Sequence, residues 1–137
     1  EDEVAVVMAT TAEKPEPIKP LYAGEDVIKI HGVVRSVPIA EDVARFAVQL
    51  VAKSRPGRPQ ATSETNQWVS WGAGLRAAQT LVLGGKARAL LHGRSHVTID
   101  DIRALAHPTL RHRILLNYKA EAEGVTVDDM IDRLLKS

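Results

Sequence analysis

The sequence has no cysteine in its 137 residues, which excludes a disulfide, a thiol nucleophile and a thiolate metal site. Aromatic residues make up only 4% of the chain. The core must therefore be built from Ala, Val, Leu and Ile, a composition that suits closely packed helices. Neither sign of charge dominates: the formal net charge is +1, which gives no global electrostatic reason to expect a nucleic acid or an anionic membrane as partner. No apolar run approaches the roughly 20 residues of a transmembrane helix, and no signal-peptide pattern stands at the front. A cytoplasmic location is the expectation. The histidines (His31, His92, His96, His107 and His112) form no HExxH or other close ligand spacing, so no metal site is expected. G-x-S-x-G and G-x-x-x-x-G-K-[ST] are both missing, which removes the nucleophile elbow and the phosphate loop. The remainder is ordinary for a globular chain, 45% hydrophobic and 26% charged, and its length predicts one domain with a real core. The chain opens at Glu1 rather than methionine, and an origin inside a longer protein is expected.

What is present is organised around the stretch 68–93, WVSWGAGLRAAQTLVLGGKARALLHG. Two tryptophans and a glycine turn, Gly72 and Gly74, lead into a predicted helix over 75–92. Leu75, Ala78, Val82, Gly85 and Ala89 share one side at about 100° per residue. Leu83, Ala87, Leu90 and Leu91 occupy the others, so the helix is apolar nearly all round and is expected inside a bundle. Gly84 and Gly85 each cost about 1 kcal/mol relative to alanine, and close approach by a neighbouring helix is the expected return. Arg76, in the first turn, departs from this pattern. It is either a snorkelling surface arginine or an arginine aimed at a phosphate from a helix N-terminus.

Before this centre, residues 1–11 predict a short helix with Val4, Val7 and Met8 along one side. Prolines at 15, 17 and 20 predict an extended linker over 12–20. Helices follow over 24–37, weakened by Gly32 and ended by Pro38, and over 41–54, where Val43, Phe46, Ala47, Leu50 and Val51 form a stripe. The polar stretch 55–67 reads as a loop. After the centre, Val97-Thr-Ile-Asp-Asp-Ile102 and Val125-Thr-Val-Asp-Asp-Met130 repeat one signal, a threonine N-cap with a carboxylate three residues on. They predict helices over 99–106 and 127–136. Asp100-Asp101 and Asp128-Asp129 are thereby capping carboxylates rather than catalytic pairs. Pro108 suits the first position of a short helix to Arg113, and 114–116 reads as either extended or helical. A basic cluster of Arg103, Arg111, His112 and Arg113, with Lys86, Arg88 and Arg94, lacks interleaved aromatics, and nucleic acid is not the favoured partner.

Several motifs resemble the C-terminal part of MoxR-type AAA+ ATPases almost end to end. Arg35-Ser-Val-Pro38 with Ile39-Ala-Glu41 is similar to that family's lead into a lid helix. Trp71-Gly-Ala-Gly-Leu-Arg76-Ala77 is similar to the motif that carries the sensor 2 arginine. Lys86 to Arg94 with Val97-Thr98-x-Asp100-Asp101-Ile102, Leu110-Arg-His-Arg113, and Glu121-x-Glu-Gly-Val-Thr126 continue the match. Leu75 stands where the family usually has proline, and Ala40 where it usually has a capping serine, a loss of roughly 1 kcal/mol.

The resemblance implies an all-α helical bundle of the AAA+ lid type. Residues 1–11 would be the end of the AAA+ core, 12–20 a proline-rich hinge, and 21–137 the lid. That lid would close over ATP bound, with its Mg2+, in the missing core domain. Arg76 would be the sensor 2 arginine. Gly72 and Gly74 would let backbone approach the nucleotide, with Trp68 or Trp71 holding the turn to the lid core. Alone, the chain would bind no cofactor firmly and would not hydrolyse ATP, whereas the parent protein would be a chaperone-like ATPase. Its partners would be its own core, further copies in a ring, and a von Willebrand factor A-domain protein, with no membrane. The alternative is a free-standing helical adaptor that binds protein or nucleic acid through the Arg103–Arg113 region.

Overall fold

The computed structural model describes residues 2–12 and 18–137. Most of the expected hinge, residues 13–17, and the first residue of the expected core segment lie outside them. Contacts divide the chain into two units, Glu1–Ile30 and His31–Ser137. In the first unit, α1 (Asp2–Thr11) forms as its spacing predicts but buries no residue. Its Thr10 and Thr11 hydroxyls donate back to the carbonyls of Val6 (2.8 Å) and Val7 (2.7 Å). α2 (Gly24–Ser36) starts in this unit and ends in the second. Of Val27, Ile30, Val34 and Val37, spaced by three and four along the chain, only Val37, just past the helix end, is buried.

The second unit is a helical bundle. α3 (Glu41–Lys53) turns Val43, Ala47, Leu50 and Val51 inward. Ala40 stands at its N-cap without a side-chain hydrogen bond. α5 (Leu75–Leu91) lies at the centre and buries Ala77, Ala78, Leu81, Gly85 and Ala89. The expectation of burial on every side was too broad: Val82 is half-buried, Leu75, Leu83 and Leu90 are exposed, and Leu91 is 86% exposed. A mostly aliphatic helix does not have to be covered all round, because much of any folded surface is apolar. α6 (Ile99–Ala104) crosses α5 at the two glycines. A Cβ at Gly85 would meet Val97 Cγ1 at 3.0 Å and Ile102 Cδ1 at 3.2 Å, and one at Gly84 would meet Leu105 Cδ1 at 2.8 Å. The helix predicted over 99–106 stops at Ala104, and α7 (Ala106–Leu110) follows after Leu105. Pro108 is therefore the third residue of its helix, still within the first turn, where a missing N–H does little harm. α9 (Val127–Lys136) closes the bundle with Met130, Ile131 and Leu134.

Both threonine–aspartate signals work as caps. Asp129 Oδ2 accepts from Thr126 N at 2.9 Å, and Thr126 Oγ1 accepts from Asp129 N at 3.1 Å. Asp101 does more. Its side chain is fully buried, accepts from Thr98 N (2.9 Å), and takes Arg94 Nη1 (2.7 Å), Arg94 Nη2 (2.5 Å) and Arg88 Nη1 (2.6 Å). Arg94 foremost, opposed by burial and helped by Thr98 and Arg88, holds the Asp101 carboxyl well below the usual carboxylate range.

The stretch 55–67 is not all loop. α4 (Ser63–Trp68) occupies its second part, capped by Thr62 Oγ1 accepting from Thr65 N at 3.0 Å. The buried Thr65 hydroxyl donates to Lys53 O at 2.7 Å. β1 (Val69–Trp71) then pairs antiparallel with β2 (Leu115–Leu116), matching Val69 to Leu116 and Trp71 to Leu115. α8 (Tyr118–Ala122) follows, with Asn117 as its cap. No helix among the described residues is long and apolar enough to cross a membrane.

Candidate functional site

The glycine turn before α5 is held from both sides of one residue. Ser54, fully buried at the end of α3, donates its hydroxyl to Val51 O (2.7 Å) and accepts from Ala73 N (3.0 Å). Arg55 Nε donates to Ala73 O at 2.7 Å. Both backbone polar groups of Ala73 are thus satisfied, and Ala73 itself is buried. Neither Ser54 nor Arg55 stood out in the sequence, because a serine and an arginine at a helix end usually meet water.

The two candidate glycines differ. Gly72 lies so close to the end of α3 that an added Cβ would fall 2.1 Å from Ser54 O. Its missing side chain admits the protein's own backbone. Gly74 has open space around it and an extended φ of −82°, and it is the N-cap of α5 without a side-chain hydrogen bond. Trp68 is buried, with Nε1 donating to Glu123 Oε2 at 2.9 Å and the Arg133 guanidinium 4.7 Å from its ring centroid. Trp68 holds the segment to the core, and Trp71 is 70% exposed.

Arg76 is exposed, and its side chain makes no hydrogen bond or ion pair among the described residues. It lines a groove of about 350 Å³ together with Trp71, Gly72, Gly74, His112 and Arg113. Among the described residues no carboxylate lines this groove. A larger groove of about 560 Å³ between α3 and α5 is mainly aliphatic, and Lys86 at its edge already donates to Arg35 O at 2.9 Å. Among the described residues no cluster of three His, Asp or Glu could hold a metal ion.

The start of α5 also differs electrostatically from the other long helices. α1, α2, α3 and α9 each carry two carboxylates in the first turn, whereas α5 carries none. The partial positive charge of its N-terminus is therefore not offset by its own sequence. With Arg76, His112 and Arg113 nearby, the groove can accept an anion such as a phosphate group.

The basic cluster read from the sequence is dispersed in space. Arg88 and Arg94 are committed to Asp101, and Arg111 holds Asp128 through Nε (2.8 Å) and Nη2 (2.9 Å). Arg103 lies 5.7 Å from the Phe46 ring centroid. Of the cluster, His112 and Arg113 reach the Arg76 groove.

Comparison with known proteins gives a consistent picture. The sequence model of the AAA lid domain matches residues 61–134. Chaperone MoxR1 of Mycobacterium tuberculosis is 24% identical over 123 residues, which is 90% of this chain and 33% of that protein. The uncharacterized protein YeaC of Bacillus subtilis is 30% identical over 128 residues, 91% of this chain and 37% of that protein. A candidate ATPase from Cytophaga hutchinsonii, known from its crystal structure, superposes with a TM-score of 0.79 at 29% identity, covering 98% of this chain and 41% of that one. The chain thus spans about a third of the length of the curated relatives it matches.

Proposed function

The chain belongs to the AAA lid domain family and is similar to MoxR-type members, and we propose that it closes over ATP held by an adjoining AAA+ core, with Arg76 as its sensor 2 arginine. The observation that carries this reading is the groove itself. It joins Arg76 to the carboxylate-free start of α5 and to two further basic residues. Arg76 would contact the terminal phosphate region and Gly74 would leave its backbone open to the nucleotide. Gly72 would act indirectly, by seating the turn on α3. Bound ATP supplies the phosphoanhydride to be cleaved. The lid's part is to place a fixed positive charge where negative charge accumulates, which costs no reorganisation during the reaction. Mg2+ would be held by the core.

The proline-rich segment over 12–20 would be the hinge, and residues 1–11 the end of the core. The parent protein would be a chaperone-like ATPase acting in the cytoplasm as a ring. A von Willebrand factor A-domain protein belongs to the same reading as a partner. An adaptor working through Arg103–Arg113 draws less support, because Arg103 is stacked on Phe46 and Arg111 is paired with Asp128.

The test is steady-state ATP turnover and thermal melting of the full-length protein. Arg76→Ala should lower turnover about 30- to 1,000-fold, the loss of roughly 2–4 kcal/mol of transition-state stabilisation. It should change stability by no more than about 0.5 kcal/mol. Unchanged turnover, or a loss explained by unfolding, would leave Arg76 an ordinary surface arginine.

A further inference from the structure

The sequence places Arg113 far from Arg76, and a small piece of sheet brings them together. Leu110 and Ile114, both buried, fix the turn that carries His112 and Arg113. Arg113 N donates to Leu110 O at 2.8 Å and Ile114 N to the same oxygen at 3.1 Å. The next two residues form β2, which pairs with the β1 strand leading into the glycine turn. The Ser70 hydroxyl adds a bond to Leu115 O at 3.0 Å, and Asn117 N donates to Trp68 O at 2.8 Å. Arg113 therefore stands on a second chain segment clamped to the one that carries Arg76.

Among the described residues the charge of Arg113 meets no carboxylate. Arg45, Arg88, Arg94, Arg111 and Arg133 each lie beside a carboxylate. Among the described residues Arg113 instead donates from Nη1 to Thr109 O at 2.5 Å and lies against His112 Nε2. A guanidinium has five N–H donors, and its Nε and Nη2 make no hydrogen bond among the described residues. Two arginines converging on one carboxylate-free groove repel each other, and one of them is half-buried. An anion with several oxygens would remove that repulsion and satisfy the open donors.

We propose that Arg113 is a second phosphate-contacting cation of the Arg76 groove, so that the lid grips a polyphosphate through arginines on two clamped segments. The proposal rests on the nucleotide-facing reading of that groove and adds a residue to it. The Thr109 carbonyl, which accepts from Arg113 Nη1 at 2.5 Å, helps to fix the direction of that guanidinium.

The experiment uses the full-length protein and calorimetric binding of ATP, ADP, AMP and inorganic tripolyphosphate, alongside ATP turnover and melting temperature. The variants are Arg76→Ala, Arg113→Ala, Arg113→Lys and the Arg76→Ala/Arg113→Ala double variant, with exposed Arg58→Ala as control. Loss of one charge-assisted contact should weaken ATP and tripolyphosphate binding about 10- to 100-fold in Arg113→Ala. AMP binding should change little, and Arg113→Lys should recover part of the loss. The double variant should lose less than the product of the single losses, because both residues contact one ligand. Loss for ATP without loss for tripolyphosphate would overturn recognition of the phosphate chain. A lowered melting temperature that accounts for the whole loss, with no recovery in Arg113→Lys, would make Arg113 structural and overturn the proposal. A silent Arg113→Ala beside a defective Arg76→Ala would sink the proposal and leave the sensor 2 reading standing. If both variants were silent, neither would survive.

Discussion

A methyl group added at Gly72 would lie 2.1 Å from Ser54 O, 2.5 Å from Ser54 C and 2.7 Å from Arg55 Cα. All three are backbone atoms, so no flexible side chain can move aside. Gly72→Ala should push the turn off the end of α3 and break the hydrogen bonds that Ser54 and Arg55 make to Ala73. A cost of about 3 kcal/mol or more is expected, at the upper end of overpacking effects. Two residues on, Gly74→Ala meets nothing within 4 Å at a φ of −82°, and its effect should stay within about 0.5 kcal/mol. Thermal melting of the two variants measures the difference, and equal losses would refute the close approach at Gly72. Because Gly74→Ala leaves the fold intact, it is also the cleaner probe of whether backbone at this turn must approach a ligand. Arg88, although on the same helix as Arg76, is a poor comparison residue, since it donates to the buried Asp101.

The β1–β2 pair is very small, yet it sets the geometry of the groove, and one side chain does much to hold it. Asn117 Oδ1 caps α8 by accepting from Ala120 N at 3.1 Å, and its Nδ2 donates to Gln67 O at 2.8 Å, joining the end of β2 to the end of α4. Asn117→Ala removes both interactions and should destabilise the domain by about 1–2 kcal/mol. Amide exchange of the β1–β2 region should quicken more than that of α3. Uniform quickening would show that the sheet is not a local clamp. This pairing also marks where sequence reading ends. α3, α5, α6 and α9 were legible because a stripe or a cap is local information, and so was the position of Arg76 in the first turn of a helix that follows Gly72 and Gly74. α4, β1–β2 and α8 were not, because Thr65 bonding to Lys53, Ser70 to Leu115 and Asn117 to Gln67 are choices made between distant segments. Arg113 was visible as part of a basic cluster. Its separation from Arg103 and Arg111, and its arrival beside Arg76, depend on the fold.

Across the whole molecule, the near-neutral balance of the sequence conceals an uneven placement of charge. Cations without carboxylate partners among the described residues face the candidate groove, whereas Asp101 is enclosed in the core with two arginines whose side chains remain 32% and 31% exposed. The pH dependence of stability follows from that arrangement. The folded-state pKa of Asp101 is depressed, so its stabilisation is fully present above the unfolded aspartate value of about 3.9 and is lost as pH falls through the folded one. Asp128, held down chiefly by Arg111, and Asp129, chiefly by its bond with Thr126, contribute with the same sign. Once the carboxylates are protonated, 18 lysines and arginines and 5 histidines remain, and their mutual repulsion adds to the loss. The chain should therefore hold its stability from neutral pH down to about 4 and lose it progressively below. Asp101→Asn isolates the buried contribution. At pH 7 it should cost about 2–4 kcal/mol, less than a fully buried pair would lose, because both arginines can regain water. Its melting temperature should also fall less steeply with acid than that of the parent chain, so the two curves converge toward pH 2. Circular-dichroism melts between pH 7 and 2 provide the measurement. Parallel curves would show that Asp101 is not the group through which acid unfolds the bundle.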